Sequence, residues 1–395
     1  MNKKYLLIGG FSLLQWISNA QQSKDTLKKK VNKTEIELVY NHYLQDGDNS
    51  AVTGGQGNEK MTVYGPSVSY KRANEKNQLA FQIGTDVISS ASVDNINFVS
   101  STSRVDSRVY LKASYQKNYD DWSLSAGSSG SIESDYLSIG TYVGLSKENK
   151  DNLSTFDLLF TMYNDDLRWG RLNKATGHKA DRLIYPVELR YKEWFDTYRR
   201  NSFNLKSSSS FVLNKRNRLG FSNELSYQVG LLSTTFHRII FQDESIGLET
   251  LPSSRFKGSL SAQWNTFING RLILKNNISY YADTWDIRGI AISNETIVII
   301  NQKIRLAPNI RLYNQSGSDY FEGYQQHQID EEFYTSDYDF SDFNSINLGM
   351  GLMLFPLKKI YKNIQFSKCI LSYNFYARQD GLKAHILSAS FLISR

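Results

Sequence analysis

Leu219-Gly220-Phe221-Ser222-Asn223-Glu224-Leu225-Ser226-Tyr227-Gln228-Val229-Gly230-Leu231 alternates with a period of two. Leu219, Phe221, Leu225, Tyr227, Val229 and Leu231 fall on one face. Gly220, Ser222, Glu224, Ser226, Gln228 and Gly230 fall on the other, and only Asn223 interrupts the apolar row. Successive side chains of a strand point to opposite faces, so this stretch reads as a strand with one apolar and one polar surface. Val105, Val109, Leu111, Ala113 and Tyr115 alternate in the same way with Asp106, Arg108, Lys112, Ser114 and Gln116. Leu79, Phe81, Ile83 and Val87 do so with Gln78, Gln82, Gly84 and Asp86.

About sixteen such segments (14–18) follow one another, near 34–44, 60–72, 78–90, 105–118, 122–132, 135–146, 153–163, 201–213, 218–231, 253–267, 271–284, 290–304, 308–316, 344–356, 366–378 and 382–395. Most have the length that a tilted strand needs to cross a bilayer. Their connections alternate. Asn74–Asn77, Asn118–Asp121, Glu148–Asn152, Asn214–Asn217 and Asn269–Gly270 are tight and polar, whereas 45–59, 91–104, 164–200, 232–252 and 317–343 are long. Short turns on one side and long loops on the other characterise outer-membrane barrels. Tyr115, Tyr119, Trp122, Trp264 and Phe267 cluster at one set of strand ends, and Tyr280, Tyr281 and Trp285 at the other, as two interfacial aromatic girdles would. The expectation is an all-β fold: a transmembrane antiparallel barrel with short periplasmic turns and long extracellular loops.

Composition agrees. Pro is scarce (5 of 395 residues), while Tyr and Phe number 25 and 21. A chain of hydrogen-bonded strands avoids Pro, which cannot donate to a ladder, and favours aromatics. No apolar run after residue 34 is long enough for a membrane helix. The single Cys, Cys369, allows neither an internal disulfide nor a Cys-based metal site. It shares a face with Leu371, Tyr373 and Phe375, so it is expected to face lipid. At the start, Asn2-Lys3-Lys4, the apolar Tyr5–Leu14 and the small residues of Ser18-Asn19-Ala20 read as an export signal cleaved before Gln21. The expected organisation is a signal peptide over 1–20, a periplasmic lead-in over 21–33 and the barrel over 34–395.

The string Asp46-Gly47-Asp48-Asn49-Ser50-Ala51-Val52-Thr53-Gly54-Gly55 resembles that of a family of outer-membrane proteins from Bacteroidota, a domain of unknown function. Asp94-Asn95-Ile96, Tyr185–Arg190, Phe236-His237-Arg238 and Tyr334–Asp339 extend the resemblance, which covers the chain from about residue 34 to its end. The resemblance implies a barrel and its location but no activity. It also implies genes that neighbour those of thioredoxin-like and flavin-transferring proteins, and a periplasmic protein partner is an expectation on that ground.

Candidate sites gather in the long loops. Asp46, Asp48, Asn49, Ser50 and Thr53, with Asp94 and Asn95, offer oxygen ligands of the kind Ca²⁺ takes, Asp46 and Asp48 foremost. The spacing matches no standard calcium loop, and a tight turn capped by its own side chains is the favoured reading. Loop 317–343 holds Asp319, Glu322, Asp330, Glu331, Glu332, Asp337, Asp339 and Asp342 with no Lys or Arg, in a chain of net charge +7. Its interleaved aromatics point to a lumen plug, a cation site or a partner for the basic loop at 164–200. That basic loop could also pair lipopolysaccharide phosphates. Asp86, Arg108, Lys112, Lys206, Glu224, Arg271 and Lys275 are expected to face the lumen, with mixed signs that brace the wall more than they filter. No catalytic residue, hydrolase signature or cofactor motif stands out, although a His237 pair with Asp46 or Asp243 is conceivable. The dispersed positive charge does not suit nucleic acid. The expected role is therefore passage or capture of a small solute. A plugged surface-binding or assembly protein comes second, and a rim-sited hydrolase third.

Overall fold

The computed structural model of the chain describes residues 32–90, 105–133, 136–149, 153–167, 199–234, 237–356, 358–361 and 364–395. The expected leader, and the lead-in up to residue 31, lie outside the described residues. Sixteen long strands form one closed antiparallel barrel. In chain order these are β1 (Lys33–Asp46), β2 (Met61–Ala73), β3 (Asn77–Ser90), β4 (Val105–Asn118), β5 (Trp122–Ile132), β6 (Leu137–Glu148), β7 (Ser154–Asp166), β8 (Arg199–Asn214) and β9 (Asn217–Gly230). After a two-stranded hairpin of β10 (Arg238–Ile240) and β11 (Ile246–Leu248), the wall continues with β12 (Ser254–Ile268), β13 (Leu272–Asp283), β14 (Arg288–Ile299), β15 (Ile304–Gln315) and β16 (Phe343–Leu354). It ends with β18 (Ile364–Arg378) and β19 (Lys383–Ser394), while the short β17 (Lys358–Tyr361) pairs only with β18. Closure is by β1 on β19, with Leu38 opposite Phe391 and His42 opposite Leu387. Thr34 and Arg395 exchange both backbone hydrogen bonds, at 2.9 and 2.8 Å.

Alternation places the two faces. Ile83, Leu111, Val143, Leu260 and Ile292 point outward and are each more than half exposed. An apolar belt that runs round the whole barrel exceeds any patch a soluble monomer tolerates. Tyr119 and Trp122 stack 3.9 Å apart at the short-turn end, near the level of Trp264 and Phe267. The opposite girdle needs correction. Tyr280 is 47% exposed, but its neighbour Tyr281 must point inward by the same alternation. Trp285 is 2% exposed, at the centre of a loop core rather than at an interface. Cys369 keeps the outward side with Leu371 and Tyr373 yet is itself buried.

Turn chemistry sets the short end. The Asn74 Oδ1 accepts from the Lys76 and Asn77 N–H groups, and Asn214 and Asn301 repeat this geometry in their own turns. Asn269 and Gly270 both have positive φ in the tight β12–β13 turn, which Arg271 N–H closes on the Ile268 carbonyl. The expected strand at 290–304 stops at Ile299, because the apolar run continues into the Asn301 turn. Its successor starts at Ile304 rather than 308, so Pro308 lies inside β15. The β14–β15 ladder accordingly lacks the pairs between Glu295–Asn309 and Val298–Leu306 while keeping its register, since Pro has no N–H to offer.

Candidate functional site: a loop cap over a polar lumen

Three long connections, 47–60, 231–253 and 316–342, pack together over one sector of the long-loop end. The 47–60 loop carries a short 3₁₀ turn at Ala51–Thr53 that closes on glycines at positive φ. Gly54 (φ 79°) leaves room for Ile240: an added Cβ would lie 2.9 Å from its Cγ1. At Gly55 (φ 87°) a Cβ would sit 3.2 Å from the Ser336 carbonyl. Two of the strings singled out in the sequence, 46–55 and 334–339, therefore meet at Gly55, beside the contact of Gly54 with the β10 hairpin. The oxygen donors are spent on turn closure. Thr53 Oγ1 donates to the Ser50 and Gln56 carbonyls, and Asn49 donates to the Asp380 carbonyl. Asp46 and Asp48 are exposed, with Lys60 3.8 Å from Asp46. Asp94 and Asn95 lie outside the described residues.

The acid-rich loop docks against the 231–253 loop. Thr250 and Tyr334 exchange backbone hydrogen bonds, Gln325 N–H donates to Ile240 O, and Gln242 N–H donates to His327 O. Beneath them Leu232, Leu251, Trp285, Ile287 and Phe340 form a small core that Tyr281, Tyr320 and Phe321 extend. Its carboxylates divide. Asp319, Asp330, Glu332 and Asp342 face solvent, whereas Glu322, Glu331, Asp337 and Asp339 are partly buried. Asp339 binds the rim guanidinium of Arg378 at 2.5 Å; Arg378 also pairs with Asp380 and stacks 4.0 Å from the Phe343 ring. On the neighbouring rim Arg255 pairs with Asp283 and lies 4.2 Å over Trp285. Among the described residues the loop meets two rim arginines, Arg378 on Asp339 and Arg255 over Phe340; most of the basic 164–200 loop is outside them. Burial, with Asp319 and Glu332 nearby, raises the Tyr320 phenol above its ordinary range.

Buried polar groups fill the seam between the loops. Glu249, 1% exposed, accepts from Thr234 N–H at 2.6 Å and from Thr335 Oγ1 at 2.7 Å, and faces His237 Nδ1 at 3.1 Å. Asp337 lies 3.8 Å from the same nitrogen. The imagined partners of His237 are elsewhere: Asp243 binds Ser245, which holds its carboxyl below the usual range, and Asp46 is beside Lys60. Nor does the arrangement suit nucleophilic catalysis. The Glu249 carboxylate stands between the imidazole and the hydroxyl, so His237 does not face Thr335, and all three are buried. His42 lies on the outer face between Tyr40 and Tyr64. Glu249, Thr335, Arg255 and Arg378 carry the cap, yet only Thr335 stood out in the sequence, as part of the Tyr334–Asp339 string. The only other local signal is Glu249, a lone acid in the apolar run Ile246–Leu251.

Below the cap the lumen wall is polar. Asp86 is opposite Arg108, which reaches Ser131 at 3.4 Å and Glu133 at 3.7 Å. Lys206 is opposite Glu224, and Lys275 binds Glu295 at 2.7 Å. Arg271 falls in the exposed β12–β13 turn rather than on the wall. Among the wall acids Asp165 pairs with Arg200, Asp157 accepts from Ser146 and Glu37 accepts from Ser390, whereas among the described residues Asp86 and Glu224 have no basic group within 4 Å. Among the described residues Lys112, Arg305, Arg311 and Lys368 have no carboxylate within 4 Å; three of them stack on Tyr110, Phe355 and Tyr313 respectively. The wall is therefore braced by mixed pairs, and among the groups left without one the cations outnumber the carboxylates.

Comparison with curated sequences found no match. Solved barrels similar to the chain include a structure titled bacterial polysaccharide outer membrane secretin, at 11% identity and TM-score 0.48, covering 91% of this chain and 97% of that one. A BenF-like porin from Pseudomonas fluorescens Pf-5 is similar at 8% identity and TM-score 0.42, over 92% and 99% of the two chains. The outer membrane protein opdK from Pseudomonas aeruginosa is similar at 8% and 0.41, over the same shares. At such identities no role carries across. A family model is more decisive: it matches residues 99–383, from β4 to the start of β19, and the chain belongs to the family described as protein of unknown function (DUF3570).

Proposed function

We propose that the chain is an outer-membrane channel for small solutes, with a preference for anions, whose outer mouth is narrowed by the loop cap. Location follows from the apolar belt. Each outward Leu or Ile left in water would forgo about 1.5–3 kcal/mol of burial, and the belt holds dozens. Its natural surroundings are lipid hydrocarbon, with lipopolysaccharide at the rim. Five long connections at one end and both described chain ends at the other match an extracellular and a periplasmic side.

One observation carries the reading of a passage. Glu224, Gln263 and Arg311 point inward from β9, β12 and β15 and are nonetheless exposed, so the lumen at their level holds water. At sixteen strands the wall is wide enough for this unless loops fill it. The uncompensated cations on the wall support the anionic preference. A periplasmic partner would meet the short-turn end, and a plugged surface-binding role is the second reading.

The test is planar-bilayer recording of the purified full-length protein in a KCl gradient. Discrete conductance steps are expected, with a reversal potential that favours chloride. Charge reversal at Lys112, Arg305 and Arg311 (each →Glu) should move that potential toward potassium. Silence from both the wild-type protein and a variant with a loosened cap would overturn the channel reading and favour surface binding.

A further inference from the structure

His327 lies in the acid-rich loop and is 1% exposed. Its Nε2 is 3.1 Å from the Thr335 carbonyl oxygen, which can only accept, so Nε2 carries a proton. Nδ1 then offers a lone pair whenever the ring is neutral. Two carboxylates face it: Glu331 Oε2 at 2.5 Å and Glu322 Oε2 at 4.0 Å. The three atoms lie within 4.8 Å of one another. Glu331 is fixed by its other oxygen, which accepts from Gln328 N–H at 2.8 Å. Glu322 Oε2 is shielded from solvent and has no hydrogen-bond partner. The chain is turned to bring these groups together, with Gln325 in the left-handed region and Gln326 N–H bonded to Gly323 O.

An imidazolium would answer Glu331 and leave the Glu322 oxygen buried without a donor, at a net charge of one minus. A divalent cation would balance both carboxylates and use the Nδ1 lone pair. A ligating His also commonly donates its other N–H to a backbone carbonyl, which fixes tautomer and orientation. That is the bond His327 makes. One imidazole and two carboxylates suit Zn²⁺-type ions, whereas Ca²⁺ takes six to eight oxygens. Ligand atoms about 2.05 Å from a tetrahedral ion sit roughly 3.3 Å apart. The present separations of 2.5 and 4.0 Å bracket that value, so small side-chain rotations reach it. We propose that Glu322, His327 and Glu331 form a Zn²⁺-type divalent cation site that braces the acid-rich loop where it meets the 231–253 loop. Both glutamates are partly exposed, which leaves a fourth position open to water and lets the ion exchange. The ion would act on the other loop indirectly, because the backbone of its ligand His327 accepts from Gln242 N–H of that loop.

The test uses full-length protein in detergent, stripped with chelator, and a zinc titration competed by a chromophoric chelator. One Zn²⁺ per chain is expected, with micromolar or tighter affinity. Glu322→Gln and His327→Ala should each weaken it at least tenfold, and zinc should slow hydrogen exchange across 323–335 in the wild type. Asp337→Asn, beside the other His–carboxylate cluster, should leave binding unchanged. Glu322 is partly exposed, so its substitution retains the fold and decides the matter even if His327→Ala disrupts the loop. Absence of stoichiometric zinc, wild-type affinity in Glu322→Gln, or an equal loss in Asp337→Asn would overturn the site.

Discussion

Arg378→Met removes the charge that holds the acid-rich loop to the barrel while keeping much of the side chain's volume. Only 4% of the Arg378 side chain is exposed, against 29% for Asp339 and 12% for Asp380. Arg378 also donates to the Tyr338 carbonyl at 2.6 Å and stacks on Phe343. Removing one partner of a buried pair costs about 3–5 kcal/mol, chiefly because the other charge stays buried unpaired. Asp339 is nearly one-third exposed and recovers part of that in water, which places the expected loss near 3 kcal/mol. At 1.4 kcal/mol per decade, the undocked loop should become roughly a hundredfold more populated. Hydrogen–deuterium exchange reads this directly. The Phe340 and Ser341 amides, which now bond to Asp337 and Tyr338 carbonyls, should exchange about a hundred times faster. Amides in the middle of β16 and β18 should not change. If the Phe340 and Ser341 rates stay within threefold of wild type, the clamp is not what docks the loop, and the Trp285 core alone holds the cap. In a channel, the same variant should show larger or noisier conductance steps.

Gly54→Ala should loosen the 47–60 loop, because φ is 79° and the new Cβ would meet Ile240 at 2.9 Å. Faster proteolysis between residues 47 and 60 is expected, and wild-type resistance would refute the close approach. Phe340→Ala empties the centre of the loop core and should cost about 3–5 kcal/mol of cap stability. That loss should appear as faster exchange in both 231–253 and 316–342, since one core serves both loops. Burial next to Asp165 pushes the Tyr136 phenol, in the β5–β6 connection, up to about 12. A raised folded-state value contributes stability that is intact below the unfolded value near 10 and lost as pH rises toward 12. Wild-type barrel should therefore lose on the order of 2 kcal/mol across that window, and Tyr136→Phe should lack this part of the loss. Equal slopes in alkaline heat-modifiability assays would exclude it.

The barrel was legible in the chain because alternation is a local property. Whether Leu225 and Tyr227 share a face depends only on their being two apart, so strand number, lipid face and lumen face follow residue by residue. Errors arose where locality fails. An Ile-rich run masked the turn at Asn301, and Trp285 was read with Tyr280 as an interface residue. The cap is a different kind of object. Arg378 meets Asp339 and Thr335 meets Glu249 across 39 and 86 residues of chain, and no spacing rule encodes such pairs. A long loop has no period to copy. Its conformation is chosen by which rim arginine, core aromatic or neighbouring loop the closed barrel brings within reach. The sequence determined the wall, by a repulsion from water repeated at every second residue. Only the tertiary structure decided what stands in its mouth, because that rests on single contacts between segments that meet only when the barrel has closed.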